Sequence, residues 1–473
     1  MLRSIARRPA GTTAPAWGQL AGPGLAPARP PGLADSRSLL ADMDGGAPTR
    51  EHWKILVTSG LGFFTDAYDL FIIGVVASMI STQWHLAQYQ VSLLSSLALL
   101  TSAAGAVVFG QVADRLGRQK IYGYEMLLLA VGSVASAFAP GIWWLIAMRA
   151  VLGLGIGGDY PVSATIMSEH ACRRARGRMV ALVFSMQAAG LIVGPLVAIV
   201  LLSAGISQQH AWRVMLALGA IPALAAFALR RKMSETPRFL IARLEDAQQT
   251  SGGRTAGRRA SRGLRGALAD RRLRRWLAGA ALAWLLFDFV YYGSTISARL
   301  IIGLVAPHAS LTRLIAYTLA LFVVAALPGY LLAAATIDRI GRRRMQAGGF
   351  AVMAAAFAGL WLIPGATVTV LPFLLLFGIS YFFAEFGPNT TTFVYPAEIF
   401  PVRVRASCNG IAAAAGKMGA FAGTYILTAL LPVLGLGRTS GLIAGTCLVG
   451  LVVTVTLLPE PRGISLEDMA SAR

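Results

Sequence analysis

From Ile55 to Leu458 the chain repeats one pattern, an apolar stretch of about 20 residues followed by a short polar break. Each stretch is long enough to cross a hydrocarbon core of ~30 Å at about 1.5 Å per residue. Apolar residues occupy all faces, which excludes the alternation over ~10 residues that marks a membrane β-barrel. The stretches fall at approximately 55–80, 91–113, 121–139, 142–167, 179–204, 212–229, 276–304, 311–336, 345–363, 368–394, 406–431 and 439–458. The expected fold is therefore an all-α membrane protein with twelve transmembrane helices.

The polar breaks divide into two kinds. Those after the second, fourth, sixth, eighth and tenth stretches carry Arg115, Arg118 and Lys120, then Arg173, Arg174, Arg176 and Arg178, then fourteen Lys+Arg between Arg230 and Arg275, then Arg339, Arg342, Arg343 and Arg344, and finally Arg403 and Arg405. The alternate breaks hold only Arg213, Arg299, Arg313 and Arg438 near their edges. Basic loops stay cytoplasmic, so an even number of spans puts both termini there. The longest loop divides the chain six plus six, giving a disordered tail at 1–50, a six-helix bundle at 51–229, a basic linker at 230–275, a second bundle at 276–458 and a cytoplasmic tail at 459–473.

The halves repeat one another. Asp114-Arg-Leu-Gly-Arg118 recurs as Asp338-Arg-Ile-Gly-Arg342, Glu169 with Arg176 recurs as Glu398 with Arg405, and Glu235-Thr-Pro-Arg238 recurs as Glu460-Pro-Arg462, at offsets of 224, 229 and 225. Three ordered pairs point to a duplicated six-helix unit, the parallel repeat of one class of secondary carriers.

Composition changes this picture little. The formal net charge of +21 suggests an acidic partner, but 56% of the residues are hydrophobic and 13% charged, about half the charged share of a soluble surface. Nucleic-acid binding would need aromatics among the arginines, and none occurs between Arg243 and Arg275. Three Cys and five scattered His give no disulfide framework, metal-ligand spacing or catalytic set. No metal, cofactor or enzymatic activity is expected. The opening MLRSIARR is Arg-bearing and acid-poor, as transit peptides are, so an organellar membrane stays open beside the expected cell (inner) membrane. A monomer is expected.

Ionisable groups inside apolar spans are costly and are functional candidates by default. Here they are Asp66, Asp69, Glu125, Arg149, Asp159, Asp288, Glu385 and Lys417. Six acids against two bases suit proton traffic, because a carboxyl in a low-dielectric cavity loads and unloads near neutral pH. Asp66 and Asp69 share one helix face, and Trp284, Asp288 and Tyr292 form a stripe at i, i+4 and i+8. Lys417 needs an anionic partner, either an Asp or an anionic substrate. Phe386-Gly-Pro-Asn-Thr-Thr-Thr392 reads as a broken helix with hydrogen-bonding side chains.

The repeated D-R-x-G-R turn resembles the major facilitator superfamily over about residues 52–468. In that turn, Arg can cap helix carbonyls while Asp caps an amino end, a charge latch between the halves. Asp114, Arg115, Arg118, Glu169, Arg176, Asp338, Arg339, Arg342, Glu398 and Arg405 are its candidates. G-G-D-Y-P-V-S-A-T at 157–165 is similar to the signature of the inorganic phosphate:H+ symporters within that superfamily. So are F-F-T-D-A-Y-D-L-F at 63–71, Met186-Gln187, the Trp284 stripe, F-G-P-N-T-T-T-F at 386–393 and A-G-K at 415–417. The resemblance implies that Tyr160, Gln187, Trp284, Asp288, Tyr292 and Asn389 line a phosphate site. Asp66, Asp69, Asp159 and Asp288 would carry protons, with Lys417 at the ligand assisting release and Arg149 setting local potential.

Three features depart from that family. Glu385 stands where Asn is expected and adds a proton site beside the ligand, Tyr395 is bulkier than usual, and the amino-terminal tail has no counterpart. The implied function is proton-coupled phosphate import by alternating access, with phosphate and protons as the transported partners in a lipid bilayer. The alternative is a proton-coupled symporter of organic or aromatic acids, or of another small solute. A sugar porter fits less well, because the seventh stretch lacks the paired Gln associated with that group.

Overall fold

The computed structural model describes residues 33–251 and 263–471. Among them there is no strand, and long helices follow the order of the apolar stretches. They are α1 (Arg50–Gln83), α2 (Gln88–Leu116), α3 (Tyr124–Ala137), α4 (Ile142–His170), α5 (Arg176–Ser203), α6 (Gln208–Arg230), α7 (Arg271–Ile296), α8 (Leu311–Ile340), α9 (Arg342–Leu362) and α10 (Val370–Ile399). The last run, Arg405–Leu457, is divided at Gly435, whose φ of 74° and ψ of 166° leave the helix. Residues 405–434 form α11 and 436–457 form α12. Ten helical segments among the described residues are long and apolar enough to cross a bilayer, and α3 and α11 complete the twelve.

Large side chains such as Val108, Phe138, Trp143, Val324, Leu371 and Val433 stay exposed on the outer surface, where lipid replaces water as the solvent. Interior contacts are made instead by small residues that let backbones approach. Across the halves, the backbones of α2 and α11 approach closely. A Cβ on Gly110 would stand 2.5 Å from the Ala406 carbonyl oxygen, and one on Gly410 would stand 2.3 Å from that of Ala106. Those two glycines permit the crossing that brings the basic loops of the halves together.

Two boundaries differ from expectation. The amino-terminal tail is not featureless to residue 50: Leu33–Gly45 form a helix, and Asp44 at its end bonds Arg176 and Arg238 at 2.9 and 2.6 Å. Leu39, Leu40 and Met43 are half-buried, an apolar edge too short to stand out from sequence alone. Residues 1–32 lie outside the described ones. The linker does not begin at Arg230, which is the last residue of α6 and fully buried. Pro237–Ser251 and Leu264–Ala269 are helical, α7 starts at Arg271, and residues 252–262 lie outside the described ones.

Candidate functional site

Where the two halves face one another, polar side chains from six helices make a single chain of hydrogen bonds. Tyr160 of α4 and Tyr292 of α7 meet hydroxyl to hydroxyl at 3.2 Å. Gln187 of α5 donates to the Tyr160 hydroxyl at 2.9 Å and accepts from Tyr330 of α8 at 3.0 Å. Asn389 of α10 donates to Tyr330 at 2.8 Å and to Glu385 at 2.5 Å. At the other end Lys417 of α11 donates to Tyr292 at 2.8 Å and reaches Asp288 at 3.4 Å. Its ammonium lies 4.0 Å over the Tyr160 ring and 4.4 Å over that of Tyr292, a cation–π arrangement strengthened by burial. Trp284, one turn before Asp288, sets its ring 6.0 Å from that of Tyr160. Every member is buried.

Aromatic rings enclose this chain. Phe63, Phe184 and Phe393 meet at centroid separations of 4.5–5.4 Å on one side, and Phe71 stacks on Tyr292 at 5.5 Å on the other. The Gly387-Pro388 break in α10, with Gly387 at φ −106° and ψ −106°, widens one turn between Glu385 and Asn389. Such turns recur at functional positions.

The acids of the first half occupy different surroundings. Asp66 is fully buried and neither carboxylate oxygen has a hydrogen-bond partner among the described residues. Asp69 accepts from Ser133 of α3 at 3.1 Å, and Arg149 donates to the Asp69 carbonyl at 2.6 Å. Sharing a helix face has therefore not given the two carboxyls shared partners. Asp159 accepts the Ser163 hydroxyl and is held in a two-pronged pair by Arg230 at 2.7 and 3.1 Å. The same guanidinium takes Glu125 at 2.8 Å and the Ser59 carbonyl at 3.1 Å, and lies 4.4 Å over the Tyr122 ring.

Arg230 and Tyr330 were not among the residues expected here. Arg230 opens a run of loop bases and reads as one of them; the available signal was that Glu125 and Asp159 are buried acids in need of a cation, and Arg230 ends an adjacent helix. Tyr330, in Pro-Gly-Tyr of an otherwise apolar stretch, carries no signal that separates it from packing.

The basic face holds the repeated turns in matching geometry. Arg118 pairs with Asp114 at 3.1 Å and Glu169 at 3.0 Å, and Arg342 pairs with Asp338 at 2.9 Å and Glu398 at 2.6 Å. Each arginine also donates to a carbonyl at the end of its preceding helix, Ala113 at 3.4 Å and Ile337 at 3.2 Å. Each aspartate reaches into the other half. Asp114 accepts the backbone N–H of Ser407 at 2.7 Å, at the start of α11, and Asp338 accepts that of Arg178 at 2.9 Å, at the start of α5. Arg405 crosses to Glu169 at 3.2 Å, and Arg118 crosses to the Val402 carbonyl at 2.7 Å.

The third repeat serves the same turns. Glu235 accepts the Gln119 N–H at 3.2 Å, and Glu460 accepts that of Arg342 at 3.1 Å. Gly117 and Gly341, at φ 111° and 95°, leave room for those carboxylates. Three expected latch members sit differently. Arg115 and Arg339 are exposed, form no ion pair among the described residues, and contribute only carbonyls that accept from Arg243 and Arg462. Arg176 pairs with Asp44 at 2.9 Å rather than with Glu169.

A twelve-helix bundle in two matching halves, with a polar cluster closed between them and ion-paired turns joining them on one face, is the architecture of a secondary carrier. The chain belongs to the Major Facilitator Superfamily, whose family model matches residues 60–424. It is 35% identical to Inorganic phosphate transporter 1-6 of Oryza sativa subsp. japonica over 89% of this chain and 92% of that protein. It is 32% identical to Probable inorganic phosphate transporter 1-6 of Arabidopsis thaliana over 92% and 96%. Among solved structures, the proton:xylose symporter XylE bound to 6-bromo-6-deoxy-D-glucose superposes with a TM-score of 0.74 at 19% identity, covering 88% of this chain and 98% of that one.

Proposed function

We propose that this chain imports inorganic phosphate together with protons by alternating access. The observation that carries the reading is the convergence of donors between the halves: the Lys417 ammonium, the Tyr160, Tyr292 and Tyr330 hydroxyls and the Gln187 and Asn389 amides lie in one buried chain. A tetrahedral oxyanion offers acceptors on every side, and the Trp284 indole adds a further donor. The relatives, one named an inorganic phosphate transporter and the other a probable one, support the same substrate and do not favour the organic-acid alternative.

Asp288 supplies the coupling. Ionised, it neutralises Lys417 and repels an anion; protonated, it releases Lys417 and donates to the ligand. Phosphate entering against an inside-negative potential opposes ~2.3 kcal/mol per charge per 100 mV, so cotransported protons must offset its charge. In this reading Asp66, with no hydrogen-bond partner among the described residues, exchanges protons, Asp69 and Asp159 extend that route, and Glu385 is a further acid that takes up a proton beside the ligand. The D-R-x-G-R latch closes the basic face, which is the cytoplasmic one of a cell (inner) membrane, with both termini inside and the chain acting as a monomer. Labelled phosphate uptake into proteoliposomes tests this. Uptake should follow an imposed inward proton gradient and collapse with a protonophore; equal phosphate flux with and without the gradient would refute it.

A further inference from the structure

Glu385 differs from the paired acids of the bundle. Asp159 and Glu125 share Arg230, Asp288 has Lys417, and Asp69 has the Ser133 hydroxyl. Asp66 has no hydrogen-bond partner but sits among charges of both signs, the carboxylates Asp159 and Asp69 and the cations Arg230 and Lys417. Glu385, with no exposure, forms no ion pair among the described residues. The titratable groups facing it are all tyrosines: Tyr291 of α7, Tyr330 of α8 and Tyr381 one turn earlier on α10. Tyr381 is engaged by Thr295 at 2.8 Å and Tyr330 by Gln187 at 3.0 Å. The Oε1 atom of Glu385 and the hydroxyl of Tyr291 both lack a hydrogen-bond partner meeting ordinary geometry.

A carboxylate buried without a counter-ion costs several kcal/mol, so the closed arrangement requires Glu385 to be neutral. Its Oε2 accepts the same Asn389 amide that also donates to Tyr330. A carboxylate is a stronger acceptor than a carboxylic acid and would hold that amide away from an anion. We propose that Glu385 licenses closure: it takes a proton from water when the cleft is open, which frees Asn389 for phosphate and lets the cleft seal, and it stays neutral through both the loaded and the unloaded crossing. Glu385 is then a positioning residue that makes turnover pH-dependent without adding a transported proton. This rests on the phosphate reading above.

The test is phosphate counterflow in proteoliposomes at equal pH on both sides, comparing the parent chain with Glu385→Gln, whose amide carbonyl still accepts from Asn389 but never ionises. The ratio of variant to parent rate should rise with pH, by up to about tenfold per unit once the parent's carboxyl ionises. The phosphate gradient that nulls net flux under an imposed pH gradient should be the same in both. A rate ratio flat with pH overturns the proposal, and so does a shifted null gradient, which would make Glu385 a transported-proton site; neither outcome touches the carrier reading. Absence of phosphate counterflow in the parent would overturn both. If the variant does not transport, infrared spectra of the purified proteins decide. A protonated-carboxyl band at neutral pH missing from Glu385→Gln supports the proposal, and identical bands overturn it.

Discussion

In the proposed cycle, replacing Asp114 by Ala removes a contact that is made only while the basic face is shut. Asp114 accepts the Ser407 N–H at 2.7 Å and the Ala406 N–H at 3.4 Å, capping α11 of the other half, and pairs with Arg118 at 3.1 Å. Losing a helix cap costs about 1 kcal/mol. The Arg118 bond adds less than the usual 1.5–3 kcal/mol of a charge-assisted bond, because Arg118 keeps Glu169 at 3.0 Å and the Val402 carbonyl at 2.7 Å. The Asp114–Arg118 pair lies within one half and is lost from both states, so about 1 kcal/mol is lost from the closed state alone, which shifts the open-to-closed ratio about fivefold. The native cysteines Cys172, Cys408 and Cys447 are all buried, so spin labels can be directed to Lys120→Cys and Arg344→Cys, exposed positions on opposite halves. Asp114→Ala should enlarge the long-distance population between these labels, and Asp338→Ala should do the same through the matching cap on Arg178. An unchanged distance distribution would refute the assignment of the turn as an inter-half latch.

Arg230→Met leaves the Asp159 and Glu125 carboxylates without their shared cation and should destabilise the carrier by about 3–5 kcal/mol. Its thermal unfolding in detergent should drop accordingly, and adding Glu125→Gln and Asp159→Asn should recover most of the loss. Asp288→Asn mimics the protonated acid, so phosphate counterflow should persist while gradient-driven accumulation disappears; full accumulation would contradict the coupling role. Outside the bundle, Glu467 pairs with Arg238. Burial opposes its charge, but the charge and hydrogen bond of Arg238 together with the charge of Arg405 and a backbone hydrogen bond outweigh it and hold the carboxyl below its ordinary 4.5. The folded group thus binds fewer protons than the unfolded one, so its contribution is present above that value and lost as pH falls beneath it. A spin label at Asp468→Cys should stay immobilised from about pH 5 to 8 and loosen only in stronger acid.

The twelve apolar stretches could be read directly because hydrocarbon demands length and apolarity from each span separately, so no long-range information is needed. The D-R-x-G-R turns stood out for a related reason, since their charges cluster at span ends. What could not be read was partnership. Lys417 declared a need for an anion, but only the fold brings Asp288 to it from a position 129 residues away. Arg230 was hidden by its neighbours Arg231 and Lys232, which differ from it only in what the α6 terminus turns toward. Tyr330 was invisible because tyrosines on membrane helices usually mark packing or interfaces. Asp44 lay in a segment whose composition resembles a solvated tail, and its role depends on Arg176 and Arg238 converging from the starts of two other helices.

In the proposed reading, the pairing of Lys417 with Asp288 makes proton and phosphate travel together without any selective gate for either. Unloaded, the buried pair of ammonium and carboxylate sums to zero. With a protonated Asp288 and a monoanionic phosphate, the ammonium and the ligand again sum to zero. A proton alone leaves one uncompensated positive charge, and phosphate alone leaves one negative charge, among side chains that are at most a few per cent exposed. An unpaired charge in such surroundings costs several kcal/mol, and about 3 kcal/mol already disfavours a half-loaded crossing more than a hundredfold. Both neutral states can seal, and the two charged ones stay open to water. Coupling on this account is a condition of electroneutrality set by one lysine and one aspartate on neighbouring helices. The tyrosine and amide donors around them fix which anion fits that condition, and they are indifferent to the direction in which it moves.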